Sequence, residues 1–227
     1  MSHHHCPAAT DIQTPLAASG RPKDLEKRAA ILTAAKQLFP GHGFDGISVD
    51  AIAQAAGVSK LTVYSHFQDK EALFMHAIGE LCQELLPDHL FVPEAGEPIE
   101  DALRALADSF FALVASPAAI SLQRLVLADV RAEGRLGRMF WQAGPARILA
   151  SFEGFLGRAA AAGDLEINDP AQAAIHFLSL LKGAVNLRML CCGARAAEIP
   201  ADEASAHVAG VVDVFLRAYQ PRTPQAG

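Results

Sequence analysis

Three residues suited to starting a helix, Ser48, Ser59 and Asp69, follow one another closely in ISVDAIAQAAGVSKLTVYSHFQDKEALF, residues 47–74. A serine or aspartate oxygen at an N-cap accepts a bond from one of the unpaired N–H groups of the first turn, so each such residue favours a helix just after it. The first of the three resulting helices, VDAIAQA, turns Ile52 and Ala56 inward and stops at Gly57. Glycine permits the tight turn that follows. Ala53 and Ala56 let the next helix, Lys60 to Phe67, approach closely, and Val58 and Val63 bury against Ile52. Two short helices joined by AGVSK have the form of a helix-turn-helix. Asp69 opens a longer helix with Phe74, Ile78, Leu81 and Leu85 as its inward stripe.

The rest of the chain is helical by the same criteria. DLEKRAAILTAAKQLF spaces Ile31, Leu32, Ala35, Leu38 and Phe39 as an amphipathic helix, ended by Pro40 and Gly41. Beyond the PEAGEP linker at 93–98, helices are expected over about 99–115, from Ser116-Pro117 onward, over about 136–162 with a loosening at Gly144-Pro145, from Asp169-Pro170 to about 190, and over about 202–219. Valine, isoleucine and threonine are sparse beside alanine and leucine, and no long alternating run marks a strand. The expected class is all-α with about nine helices. Four parts are expected: a flexible arm over 1–21, a three-helix head over 22–68, a larger helical domain over 69–220, and a tail over 221–227. Every apolar run is interrupted short of the roughly 20 residues a membrane span needs, and no apolar leader opens the chain, so a cytoplasmic protein without a membrane partner is expected.

The formal net charge is −6, but it is unevenly spread. Residues 20–76 hold seven Lys/Arg against six Asp/Glu, and residues 77–227 hold 12 against 18. The head is therefore the part least repelled by a polyanion. The outward face of the second short helix carries Lys60, Leu61, Thr62, Ser65 and His66. Lys60 and Lys70 can neutralise phosphates, and Ser48, Thr62 and Tyr64 can donate hydrogen bonds to them. Lys60 can also read guanine edges, and Leu61 can touch a thymine methyl. The bland alternative is a helical hairpin with a solvated face.

Other signals are weaker. GHGFDG satisfies G-x-G-x-x-G, but a helix precedes it where a dinucleotide site needs a strand. Asp129 and Glu133 lie one helical turn apart with Arg131 and Arg135 interleaved, the pattern of a charged surface. No catalytic constellation, cofactor motif or metal-ligand spacing stands out, and HHHC at residues 3–6 reads as a flank, so neither an enzyme nor a metal site nor a cofactor is expected. Cys191-Cys192 leaves an alternative open, a helical protein that senses oxidants or thiophilic ligands through adjacent thiols. The ordinary role of such cysteines is as small hydrophobes.

The run RAAILTAAKQLFPGHGFDGISVDAIAQAAGVSKLTVYSHFQDKEALF resembles the N-terminal domain of the TetR family of bacterial regulators. LQRLVLADVRAEGRLGRMFWQAGPARILASF is similar to the C-terminal domain of its AefR-like branch. The resemblance implies a homodimeric, cytoplasmic repressor of a palindromic double-stranded DNA operator, released by a small apolar or amphipathic effector. It places Ser48, Thr62, Tyr64, His66 and Lys70 at phosphate-facing positions and Lys60, Leu61 and Ser65 at base-facing ones. Arg21 and Lys23 match an arm that reaches the minor groove. Leu61 is bulkier than the family's usual residue, and Ser65-His66 lacks its usual aromatic, so the operator sequence does not carry over. An effector pocket is implied in the larger domain, with Phe110, Phe111, Phe140, Trp141, Phe155 and Phe177 as apolar candidates and Gln123, Arg124 and Arg131 as polar ones. A dimer bundle is implied on the last two helices, through Phe177, Leu180, Leu181, Ala184 and Leu187 on one and Val208, Val211, Val212 and Phe215 on the other, with Gly183 permitting close approach. The alternative for these positions is packing within one chain.

Overall fold

The computed structural model describes residues 21–94, 96–129, 134–192 and 199–221, with side chains from residue 23. The HHHC run, Arg131 and Glu133 lie outside these. Among the described residues ten α-helices run in chain order: α1 (Arg21–His42), α2 (Val49–Ala55), α3 (Lys60–His66), α4 (Lys70–Leu85), α5 (Ile99–Ala115), α6 (Pro117–Ala128), α7 (Arg135–Ala143), α8 (Pro145–Ala162), α9 (Pro170–Cys192) and α10 (Ala201–Tyr219). A 3-10 turn, Asp88–Phe91, follows α4, and no strand occurs among the described residues. The expected all-helical class is present. The 136–162 stretch divides at Gly144, because Pro145 disfavours a helical residue before it and restarts α8 at its own first position.

Two ends of α1 differ from expectation. It is already helical at Arg21, the first described residue, ahead of the expected opening at DLEKRAAILTAAKQLF. The backbone of Arg21 and that of Lys23 are thus helical, not part of an extended arm. At the other end α1 continues through Pro40 to His42, and Gly43 N donates to the Phe39 carbonyl at 3.0 Å to close the last turn. Proline removes only the bond to residue 36, and near a helix end that is tolerated.

Two cores result. One joins α1–α4 to the faces of α6 and α7: Phe39, Phe44 and Phe74 meet with ring centroids 5.0 to 6.0 Å apart, and Leu122, Leu136 and Met139 complete it. Lys36 of α1 reaches Glu80 of α4 at 2.9 Å and also pairs with Glu84. Burial opposes the charge on Lys36, but the two carboxylates outweigh it and hold its pKa above the ordinary value. The second core joins α5, α8, α9 and α10. Its centre is a chain of rings, Phe155–Phe152–Phe177–Phe215–Tyr219, with successive centroids 5.6, 5.0, 4.8 and 4.6 Å apart. Burying each such ring contributes roughly 1.5–3 kcal/mol. Helix α9 is long and apolar enough to cross a membrane by length and composition, contrary to the reading of interrupted runs. Here one face of it closes this core against α5, α8 and α10.

Candidate nucleic-acid interface

The three caps read from the sequence are all made. Ser48 accepts from Ala51 N at 3.1 Å, Ser59 from Thr62 N at 3.1 Å, and Asp69 from Ala72 N at 2.7 Å. Gly57 has φ +67°, the left-handed conformation that turns the chain from α2 into α3. Of the seven residues of α3, Val63 alone is buried, and Phe67 beyond its end is 2% exposed. The helix is thus held by a narrow inward side and by bonds at its ends, and its other face is left open.

That face carries most of the expected contacts. Leu61 is 79% exposed and Tyr64 43%. Ser65 is exposed, and its hydroxyl donates to the Thr62 carbonyl at 2.8 Å. Thr62 is half-buried, and its hydroxyl pairs with that of Ser59 at 2.8 Å. Lys60 reaches back to Asp50 of α2 at 2.7 Å. That hydrogen bond and the carboxylate charge hold the ammonium above its ordinary pKa. Lys70 stands 4.6 Å from the Phe44 ring centre. Partial burial lowers its pKa, with Asp45 opposing and Arg135 adding to the effect. Ser48 and Lys23 are exposed. The surface therefore offers two lysines, hydroxyls, a phenol and one apolar residue along α3 and at the starts of α2 and α4.

His66 is the exception. Its side chain is 8% exposed, and Nε2 lies 3.2 Å from Asp24 Oδ1 of α1, off the line of a hydrogen bond. Position 66 is three residues after Val63 and shares its inward side. The expectation that His66 faces phosphate is corrected: it meets α1. Two residues that composition did not single out shape the site instead. Asp50 occupies Lys60, and Arg135 of α7 pairs with Glu71 at 3.0 Å while lying 5.6 Å from the Phe44 ring that Lys70 shares. Neither pairing has a local sequence signal.

The aromatic set expected around an effector is dispersed. Phe110, Phe155 and Phe177 belong to the second core, Phe140 packs against the first, Gln123 is buried, and Arg124 and Trp141 are exposed. Phe111 alone of that set lines a cavity of roughly 670 Å³ between α5, α6, the end of α9 and the start of α10. Ile120, Met189 and Val208 give it apolar walls, and Asp108 and Ser205 are its polar groups.

The dimer candidates also separate. Phe177, Leu181, Val208, Val211, Val212 and Phe215 are buried within the chain, so they are unavailable to a second copy. Leu180, Ala184 and Leu187 are exposed, joined by Ile175 on α9 and Val214 on α10. Cys191 and Cys192 are exposed at the end of α9. No cluster of three or more metal-ligating side chains occurs among the described residues.

Comparison with known proteins matches both halves of this layout. Residues 31–77 match the family of bacterial regulatory proteins described as the tetR family, and residues 101–221 match the AefR-like transcriptional repressor C-terminal domain. The curated regulatory protein RaaS of Mycobacterium tuberculosis is 28% identical over 164 residues, 72% of this chain and 71% of its own length. The match to the regulator YdeS of Bacillus subtilis, 39% identical over 82 residues, spans only 39% of that protein. A solved TetR-family regulator from Mesorhizobium loti superposes with TM-score 0.72 at 28% identity, covering 88% of this chain and 99% of its own. The solved flavonoid-responsive regulator FrrA gives 0.67 at 34% identity, covering 87% and 98%. The chain belongs to the TetR family of bacterial transcriptional regulators, which are non-enzymatic DNA-binding proteins, and carries an AefR-like C-terminal domain.

Proposed function

We propose that the protein is a homodimeric repressor whose two α3 helices read a palindromic operator and let go when an aromatic effector occupies the larger domain. The observation that supports this reading most is the open face of α3. An apolar side chain 79% exposed beside Lys60 and Ser65, on a helix fixed at both ends, is a surface suited to a major groove. Lys60, Leu61 and Ser65 are assigned to bases, and Ser48, Thr62, Tyr64 and Lys70 to phosphates. Lys23, with Arg21 before it, is assigned to the backbone or the minor groove beside the site. Lys60 must leave Asp50 to reach DNA, an exchange of one anion for another.

The exposed apolar residues of α9 and α10, Ile175, Leu180, Leu187 and Val214 among them, support a two-fold pairing of this helix pair with its copy. The effector class follows from the likeness to a flavonoid-responsive regulator and from the cavity beside Phe111. Its volume lies in the range of small-molecule pockets, with mostly apolar walls and two oxygen-bearing side chains for ligand hydroxyls. The effector must bind the DNA-incompetent arrangement better than the competent one, or it would release nothing.

Light scattering should give twice the chain mass. Purified protein should retard DNA from beside its own gene, and naringenin, a hydroxylated flavonoid, should release it. A monomer that binds every DNA sequence equally would overturn the reading.

A further inference from the structure

Helix α9 is broken in its middle. Gly183 has φ +34° and ψ −150°, a backbone conformation that residues with a β-carbon avoid. The break separates a first half that carries Leu180 from a second half that carries Ala184 and Leu187, all exposed on the face assigned to the partner copy. In a regular helix the Leu181 carbonyl would accept from the N–H of residue 185. The reversal at 183 falls between those two groups. Here the Leu181 carbonyl lies 2.9 Å from Nε2 of His207 on α10. A carbonyl only accepts, so Nε2 carries the proton. A side chain from the neighbouring helix thus occupies the acceptor next to the break.

The His207 ring has a second neighbour. It lies 5.3 Å from the Phe111 ring, centre to centre, at 48°. Phe111 is a wall of the 670 Å³ cavity, and so are Ala204 and Val208, on either side of His207 along α10. The ring also covers the break: a β-carbon at residue 183 would stand 4.0 Å from His207 Cε1. One imidazole therefore touches the cavity wall with its ring and the discontinuity with its N–H.

We propose that His207 is a positioning residue that couples occupancy of the cavity to the geometry of the dimer face. With the cavity empty, the ring packs on Phe111 and its N–H holds the Leu181 carbonyl, which fixes the angle between the halves of α9. A ligand pressed against Phe111 displaces the ring. The carbonyl loses its donor, and the second half of α9 turns toward a continuous helix. Leu187 moves relative to Leu180, so the two protomers meet at a different angle and their α3 helices change separation. The proposal rests on the dimer and effector reading above. Its distinct content is that the donor N–H, beyond the bulk of the ring, sets the ligand-free geometry.

The test uses full-length protein in four forms: wild type, His207→Phe, His207→Gln and Gly183→Ala. Phenylalanine keeps a ring against Phe111 and removes the donor. Glutamine keeps a donor. Alanine disfavours the break itself. Circular dichroism and light scattering establish which forms fold and pair, and the two donor- or break-altering variants stand in for each other if one fails. Ligand-free proteins then select half-site spacing from random duplex DNA. Wild type and His207→Gln should select one spacing. His207→Phe and Gly183→Ala should select a spacing shifted by about one base pair, ~3.4 Å, or bind the wild-type operator about tenfold more weakly. Folded, dimeric His207→Phe or Gly183→Ala with wild-type spacing and affinity overturns the proposal. Naringenin is added in a separate arm. If it fails to bind wild type, the effector reading fails, while the spacing result still decides the role of His207. If it binds, the ratio of its affinities with and without operator should fall about tenfold in His207→Phe; an undiminished ratio overturns the coupling.

Discussion

Helices α3 and α9 solve opposite problems. Helix α3 has seven residues, of which Val63 is buried and the His66 side chain nearly so, yet its position is fixed by the Ser59 cap at its start and by Val63 and Phe67 beneath it. Helix α9 has 23 residues and seven buried ones, yet it is interrupted at Gly183 and borrows a hydrogen-bond donor from α10. A short helix cannot persist on propensity alone, so local caps must set it. A long helix with a large apolar face has stability in reserve and tolerates a break. Helix α3 is thus held by local bonds, whereas packing along its length secures α9 despite its break.

This contrast predicts a graded set of effects. The largest is at the aromatic chain of the regulatory half. Phe177 is fully buried between Phe152 and Phe215, so Phe177→Ala should lower unfolding stability by about 3–5 kcal/mol in chemical denaturation. A loss under about 1 kcal/mol would show that the ring chain does not hold this half together. In the head, Ser59→Ala should cost about 1 kcal/mol and loosen α3, with a parallel fall in operator affinity. Unchanged affinity would mean that the cap does not position the reading face.

Smaller effects test the surfaces. Asp50→Asn removes the carboxylate that holds Lys60, so binding should rise modestly and the gain should be larger on the operator than on unrelated DNA, as the base contact assigned to Lys60 requires. An equal gain on every duplex with a steeper salt dependence would instead place Lys60 on the backbone. Among the cysteines, burial holds the Cys82 thiol up to about 11. The thiolate is the reactive form, so at pH 8 native Cys82 should resist alkylation while exposed Cys191 and Cys192 react, as peptide mass spectrometry would read. Because this pKa is raised on folding, the stabilisation from the neutral thiol is complete below the ordinary value of 9.0 and is lost as pH climbs toward 11.

The sequence made most of the fold legible because its helix starts are local events. Ser48, Ser59, Asp69, Ser116 and Asp169 all cap as read. The exposed face of α3 was equally legible at Lys60, Leu61 and Ser65. His66 was only half legible: its three-residue spacing from Val63 marks the inward side, but its neighbour Asp24 on α1 lies far away in sequence. The same limit hid the pairing of Asp50 with Lys60. The cavity was harder still: its walls come from α5, α6, α9 and α10, and the aromatic residues that suggested a pocket went mostly into the cores. Apolar spacing marks a buried face but does not say whether the same chain or a partner covers it, which is why Leu181 and Val212 read like Leu180 and Leu187. Gly183 signalled close approach and proved to be a break, since the bond that accommodates it comes from His207.

The central claim is that α3 reads bases while Lys70 anchors the backbone. It is tested most directly by measuring salt-dependent binding of wild type, Lys70→Ala and Leu61→Ala to a footprinted operator and to single-base variants of it. The account predicts that Lys70→Ala weakens binding to every duplex and lowers the salt slope by about one, while Leu61→Ala keeps the slope and changes the ranking of the variants. Equal losses on every duplex for both substitutions, with the ranking unchanged, would contradict it.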